Sequence, residues 1–193
     1  MQNIAIERSI TPDSILDFGS GYGRVSRFLP SFFTNSKIEV SEVKSQALDF
    51  QKRHFDFEGI SHTQDVKSFP DKEFDLILAL SVFTHLPQSS FENWLNKLVR
   101  LLKPGGALVF TFNNTLDPLH LTSSQMKEFA YTASSEDTAF PFLYDSIKEN
   151  TDYGNTYVSH RFLDQLISKL GVDHKFLGKE LVPSQEAIIV MKK

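Results

Sequence analysis

Ile15-Leu16-Asp17-Phe18-Gly19-Ser20-Gly21-Tyr22-Gly23-Arg24 is the stretch whose reading decides the fold. A short apolar run ends in an acid, and three glycines then alternate with small or aromatic residues. Val25, Phe28, Leu29 and Phe32 follow at helical spacing. Strand, glycine turn and helix in that order set backbone N–H groups and a positive helix end at the C-terminal edge of a parallel sheet. Nucleotide-like ligands bind at that edge in open α/β sheets. Glycine is required because the turn needs positive φ and because a side chain would block close approach of a ligand.

Outward from this stretch the chain alternates strand and helix. The first strand is 14–18, followed by a helix over about 23–33. Lys37-Ile38-Glu39-Val40 reads as a second strand, and Ser45, Ala47, Leu48, Phe50, Gln51 and Phe55 carry a helical pattern after it. A weak strand at 59–63 precedes the run Phe74-Asp75-Leu76-Ile77-Leu78-Ala79-Leu80, which is apolar on both faces beyond its acid and therefore buried on both. Phe91, Trp94, Leu95, Leu98, Val99 and Leu102 mark an amphipathic helix over 89–102. Lys103-Pro104-Gly105-Gly106 stops it ahead of a fifth strand at 107–112. Such alternation predicts right-handed crossovers around a parallel sheet. It breaks over 113–158, a segment with no strong period but rich in Phe, Tyr, Thr and Ser. A helix over 160–170 and strands at 172–177 and 187–191 close the chain.

Composition narrows the class. A length of 193 residues suits one domain over 1–193, and 40% hydrophobic residues with eighteen Phe argue for a packed core and against disorder. There is no Cys, so disulfides, thiolate zinc sites and a Cys nucleophile are excluded, and a cytoplasmic home is expected. No apolar run approaches a membrane span. The formal charge is −4 with scattered lysines and arginines, not the basic face of a nucleic-acid binder.

The glycine turn resembles motif I of the class I S-adenosylmethionine-dependent methyltransferases, an acid, one residue, then Gly-x-Gly-x-Gly. The dinucleotide fingerprint Gly-x-Gly-x-x-Gly fits less well, because the third glycine falls two residues after the second and Asp17 precedes the first. The likeness recurs downstream at Glu42, Asp65, the stretch 74–86 and Leu98–Gly106, and covers about 15–112. It implies a three-layer Rossmann-like doubly wound sheet, mostly parallel, of seven strands with the last antiparallel and an aromatic-rich insertion after strand five. It also implies S-adenosyl-L-methionine as cofactor. Asp17, Gly19, Ser20, Gly21 and Gly23 would cradle it. Glu42 would accept from the ribose hydroxyls with Val43 beside it, Glu39 being a competitor inside the strand. Asp65 and Val66 would meet the adenine, although Asp65 equally suits a helix cap, and Leu80 would line the pocket.

Departures from the family pattern limit the acceptor. Ala79-Leu80-Ser81-Val82-Phe83 lacks the Asn/Asp-Pro-Pro-aromatic element of enzymes acting on base or amide nitrogens. Ser81 stands where a divalent-metal site would want an acid, so no metal is expected. The segment before the first strand is short for the family, implying an open pocket or a chain that is part of something longer. His85 is the candidate general base, against the plainer role of packing the turn before the long helix. Tyr22, Tyr153 and Tyr157 are candidate acceptor contacts, with His120, Tyr131 and His160 behind them. The reading is methyl transfer to a hydroxyl or amine of a small molecule, glycan or lipid-linked acceptor. Its alternatives are a non-catalytic binding domain of the same fold and, behind that, an NAD(P)-dependent oxidoreductase.

Overall fold

The computed structural model describes residues 11–115, 128–133 and 154–193. Its centre is β4 (Phe74–Ala79), the doubly apolar run, flanked in parallel by β1 (Ser14–Phe18) and β5 (Leu102–Asn114). β2 (Lys37–Glu42) and β3 (Glu58–Ser61) extend the sheet in parallel beyond β1, with Asp17 beside Val40 and Glu42 beside Ser61. On the other side β9 (Gln185–Met191) runs antiparallel to both β5 and β8 (Asp173–Val182). The order β3-β2-β1-β4-β5-β9-β8 is the expected seven-stranded sheet with its last strand reversed.

Period-two alternation divides the core into two layers of packing. Leu16, Phe18, Ile77, Ala79, Leu108, Phe110 and Ile188 meet Phe91, Trp94, Leu95 and Leu98 of α3 (Gln88–Arg100) and Leu163 and Ile167 of α4 (His160–Ser168). Ile15, Leu76, Leu78, Ala107, Val109 and Ile189 point to the opposite face, against Leu29 of α1 (Leu29–Phe32). Val40 on β2 packs with Leu48 of α2 (Ser45–Phe55). Helices on both faces complete three layers.

Two elements depart from the sequence reading. The helix expected over 23–33 shrinks to a 3-10 turn at Ser26–Phe28 and the single turn of α1. Gly23 is still in the left-handed turn at φ +77°, and a helix begun there would carry Pro30 in its interior, where it lacks a donor and clashes with the preceding turn. Pro30 instead takes the first turn of α1. The aromatic segment, in which no strong period was read, contributes β6 (Phe129–Ala133) and β7 (Gly154–Val158), paired antiparallel from Phe129↔Val158 to Ala133↔Gly154. β7 joins the tip of β5 in parallel, at Asn113↔Tyr157 and Asn114↔Val158. The described residues therefore hold nine strands, a core of seven plus this pair.

Candidate active site

The C-terminal edge of the sheet gathers the chemistry-bearing residues in two halves. At the ends of β1 and β2 the glycine turn is pinned by hydrogen bonds. The N–H groups of Gly19 and Ser20 both donate to the Ser41 carbonyl at 2.9 and 3.0 Å. Gly21 N–H donates to Glu42 Oε2 at 3.0 Å, while Glu42 Oε1 accepts from the N–H groups of Val43 (2.9 Å) and Lys44 (3.2 Å). Gly19, Gly21 and Gly23 have φ of +69°, +55° and +77°. They are glycine for different reasons. A Cβ on Gly19 would meet Val82 Cγ2 at 2.4 Å, and one on Gly23 would press on Gln51 and Phe55 at 3.0 Å, but one on Gly21 would enter open space.

Asp17 lies beneath this turn, buried, and accepts the Ser26 hydroxyl at 2.5 Å. Burial pushes its carboxyl up to about 6; the Ser26 bond opposes the rise and the negative charge of Glu42 adds to it. Glu39 sits inside β2 and is buried, its carboxylate paired with Lys72, whose Nζ is 2.6 Å from Oε2. That leaves Glu42, half-buried at the strand end, as the acid facing the edge. Asp65 caps the 3-10 turn Val66–Ser68, accepting from Lys67 N–H at 3.0 Å, and is exposed. Val66 and Leu80 are half-buried, and Val43 is exposed at the rim.

The second half stands over the ends of β4 and β5. Ser81 follows β4 in the left-handed region at φ +59°, a conformation that costs a non-glycine residue energy and concentrates at functional sites. Its N–H donates to Thr111 Oγ1 at 2.7 Å and its hydroxyl to Gln185 Oε1 at 3.0 Å. The loop after Ser81 is clamped to β7. Gly154 N–H donates to the His85 carbonyl at 3.0 Å, Thr156 N–H to the Thr84 carbonyl at 2.8 Å, and the Thr156 hydroxyl to the Leu86 carbonyl. The His85 ring joins the clamp through Nδ1, 2.8 Å from the Gly154 carbonyl. A carbonyl can only accept, so Nδ1 carries the proton and the neutral ring keeps its lone pair on Nε2. Burial lowers the His85 pKa below the usual imidazole value, against the raising effect of the Gly154 bond, and favours that neutral form.

Of the candidate acceptor contacts, Tyr22 leans edge-on against Phe50 of α2 at 5.4 Å between ring centres and is exposed. Tyr157 is half-buried on β7, beside Asn113 of β5. Tyr153 and His120 lie outside the described residues. His160, at the start of α4, has Nε2 at 2.6 Å from Glu186 Oε2, and Asn114 donates to Glu186 Oε1 at 2.8 Å. Gln51, Ser26, Gln185 and Glu186 were not picked out as site residues from the sequence. For Gln51 a signal existed, a polar amide on the inward stripe of a helix. The others offered none, because their partners are brought to them only by the sheet.

The methyltransferase domain family matches residues 3–172. The chain belongs to that family, the S-adenosylmethionine-dependent class with a Rossmann-like fold, and S-adenosylmethionine is the cofactor that goes with it. It is similar to the fatty-acid O-methyltransferase of Mycolicibacterium smegmatis, 26% identical over 110 residues, which are 55% of this chain and 39% of that protein. It is also similar to the glycine/sarcosine/dimethylglycine N-methyltransferase of Actinopolyspora halophila, 28% identical over 138 residues, 66% of this chain and 23% of that one. The chain thus spans less than half the length of either relative. An S-adenosylmethionine-dependent methyltransferase structure from Methanosarcina mazei superposes with a TM-score of 0.69 at 17% identity, over 98% of this chain and 96% of that one. No helix among the described residues is long and apolar enough to cross a membrane.

Proposed function

We propose that this chain moves the methyl group of S-adenosylmethionine to a hydroxyl or amine of a small molecule, glycan or lipid-linked acceptor. The observation that carries the reading is the Gly21–Glu42 pair, an uncrowded left-handed glycine whose N–H is tied to a carboxylate at the end of the next strand. The residues fit the cofactor. Each carboxylate oxygen has two acceptor positions, and Glu42 Oε2 uses one of them on Gly21, which leaves it able to take a ribose hydroxyl. Asp17, a buried carboxylate pushed up to about 6, is a group that a neighbouring cation would relieve. Val43 and Leu80 would flank the bound nucleoside, with Asp65 and Val66 at its adenine end.

When bound, the cofactor supplies a methyl carried on a sulfonium, ready for in-line displacement. The protein's share is alignment, exclusion of water and proton removal. Glu42 and the glycine turn would hold the donor at β1 and β2. The Ser81–His85 loop and β7 would hold the acceptor, with Tyr157, Tyr22 and Tyr153 as contacts to its rings or hydroxyls. His85 would take the acceptor proton, its ring oriented by the Nδ1–H bond to the Gly154 carbonyl. The two relatives act on different atoms, one named an O- and the other an N-methyltransferase, and a neutral imidazole serves either chemistry. Calorimetric titration with S-adenosylhomocysteine and, separately, NAD tests the reading. Binding of the former alone is expected, and binding of NAD alone would overturn it in favour of an oxidoreductase.

A further inference from the structure

The glycine turn has a third anchor besides Ser41 and Glu42, and it comes from a helix that no motif touches. Gln51 lies on α2 among Ala47 and Leu48 and is completely buried. A buried amide is costly unless it is bonded. Its Nε2 donates twice, to Ser20 Oγ and to the Gly21 carbonyl, both at 2.8 Å. The second bond also fixes the amide's orientation, since only the nitrogen can donate to a carbonyl. Ser20 Oγ passes the constraint on to the Ser41 carbonyl at 3.3 Å.

Gly21 is therefore held on both sides, its N–H by Glu42 and its carbonyl by Gln51. This double grip matters because glycine is the residue whose neighbouring peptide planes turn over most freely. A Cβ added to Gly23 would meet Gln51 Oε1 at 3.0 Å and Cγ at 3.2 Å, so the same side chain closes the far end of the turn. We propose that Gln51 is a positioning residue for the cofactor. It acts through the cofactor loop, holding the Gly21–Tyr22 peptide so that the turn is already in its binding form. The inference rests on the glycine turn being the cofactor loop.

Without the amide the turn would spend only part of its time in that form, and apparent affinity falls by the fraction of time spent there. A turn that is competent about one tenth of the time binds about tenfold more weakly. Gln51→Met keeps the volume and removes the donor. Gln51→Asn keeps the amide but is one methylene too short to reach Gly21. Leu48→Ala, on the same helix and packed against Val40 and Phe57 away from the turn, weakens α2 without touching its hydrogen bonds. The measurements are S-adenosylhomocysteine affinity by calorimetry, at a temperature well below the melting point of every variant, and the melting curve of each. Both Gln51 variants should lose about tenfold or more in affinity, whereas Leu48→Ala should melt earlier and bind as tightly as the unsubstituted chain. Unchanged affinity in the Gln51 variants would overturn the proposal, as would an equal loss in Leu48→Ala, which would assign the effect to helix packing. If Gln51→Met does not fold, Gln51→Asn decides. An unsubstituted chain that fails to bind S-adenosylhomocysteine would sink the reading of the cofactor site and this inference with it. Tight binding there with unaltered Gln51 variants would sink the inference alone.

Discussion

The two halves of the C-terminal edge are held by bonds of very different reach. In the half proposed to hold the methyl donor, the donor half, the partners lie close in sequence: Gly21 and Glu42 are 21 residues apart, Asp17 and Ser26 only 9. At the acceptor half His85 reaches Gly154 across 69 residues, Asn114 reaches Glu186 across 72, and Ser81 reaches Gln185 across 104. In the donor half the glycine turn, Glu42 and Gln51 belong to one βαβα run, so their geometry follows from local turn chemistry. The acceptor half exists only once β9, β7 and the loop after β4 have come together.

Substitutions should separate the halves. The largest effect is expected for Gly21→Val, which fills the space over the turn and forces a β-branched residue to φ +55°. S-adenosylhomocysteine binding should disappear in calorimetry while far-ultraviolet circular dichroism still reports the fold. Retained binding would mean that the donor does not sit over this turn.

Asp17→Asn should next show what the donor half costs the free protein. Burial pushes the folded carboxyl up to about 6 from the ordinary 3.8. Below pH 3.8 it is neutral folded or unfolded, and substitution changes nothing there. As pH rises to about 6 the stability lent by the neutral form is lost, and above it the fold carries a buried charge. At about 1.4 kcal/mol per pH unit the penalty reaches about 3 kcal/mol. Asp17→Asn should therefore melt higher than the parent at pH 7.5, with the advantage shrinking away toward pH 4. A variant that melts lower at pH 7.5 would show that the Ser26 bond outweighs burial.

Glu42→Ala should weaken S-adenosylhomocysteine binding by roughly tenfold to a hundredfold, the equivalent of about 1–3 kcal/mol for a removed acceptor. Glu39→Ala should leave that affinity nearly unchanged, because its carboxylate faces Lys72 instead. Reversed effects would move the ribose contact three residues down β2. The smallest change belongs to the other half. Thr156→Val deletes the hydroxyl that reaches the Leu86 carbonyl, a loss of about 1 kcal/mol. Amide exchange should quicken at Gly154 and Thr156 with S-adenosylhomocysteine affinity untouched. A drop in affinity would show that the two halves are coupled.

Much of the donor half was legible because strand period, glycine spacing and an acid at a strand end are local marks. The alternation of strand and helix predicted a parallel sheet, while the reversed last strand was expected only from the resemblance to the methyltransferase family. The short α1 was less legible, since the weight of Pro30 depended on whether the helix began before or after Gly23. β6 and β7 escaped notice because five-residue strands carry little period, and what stabilises them is pairing with each other and with the tip of β5.

By itself the chain's order of residues determined where the backbone must turn left-handed, which runs are buried on both faces, and that an acid follows the second strand. Local sterics and hydrophobic period decide those matters, and both can be read along the chain. Tertiary structure alone decided which buried groups find partners: the Gln51 amide against Gly21, the proton on His85 Nδ1 against Gly154, the rise of the Asp17 carboxyl under the turn. Hydrogen bonding and desolvation depend on what else occupies the space around a group. In this protein that space is filled by residues from elsewhere in the chain.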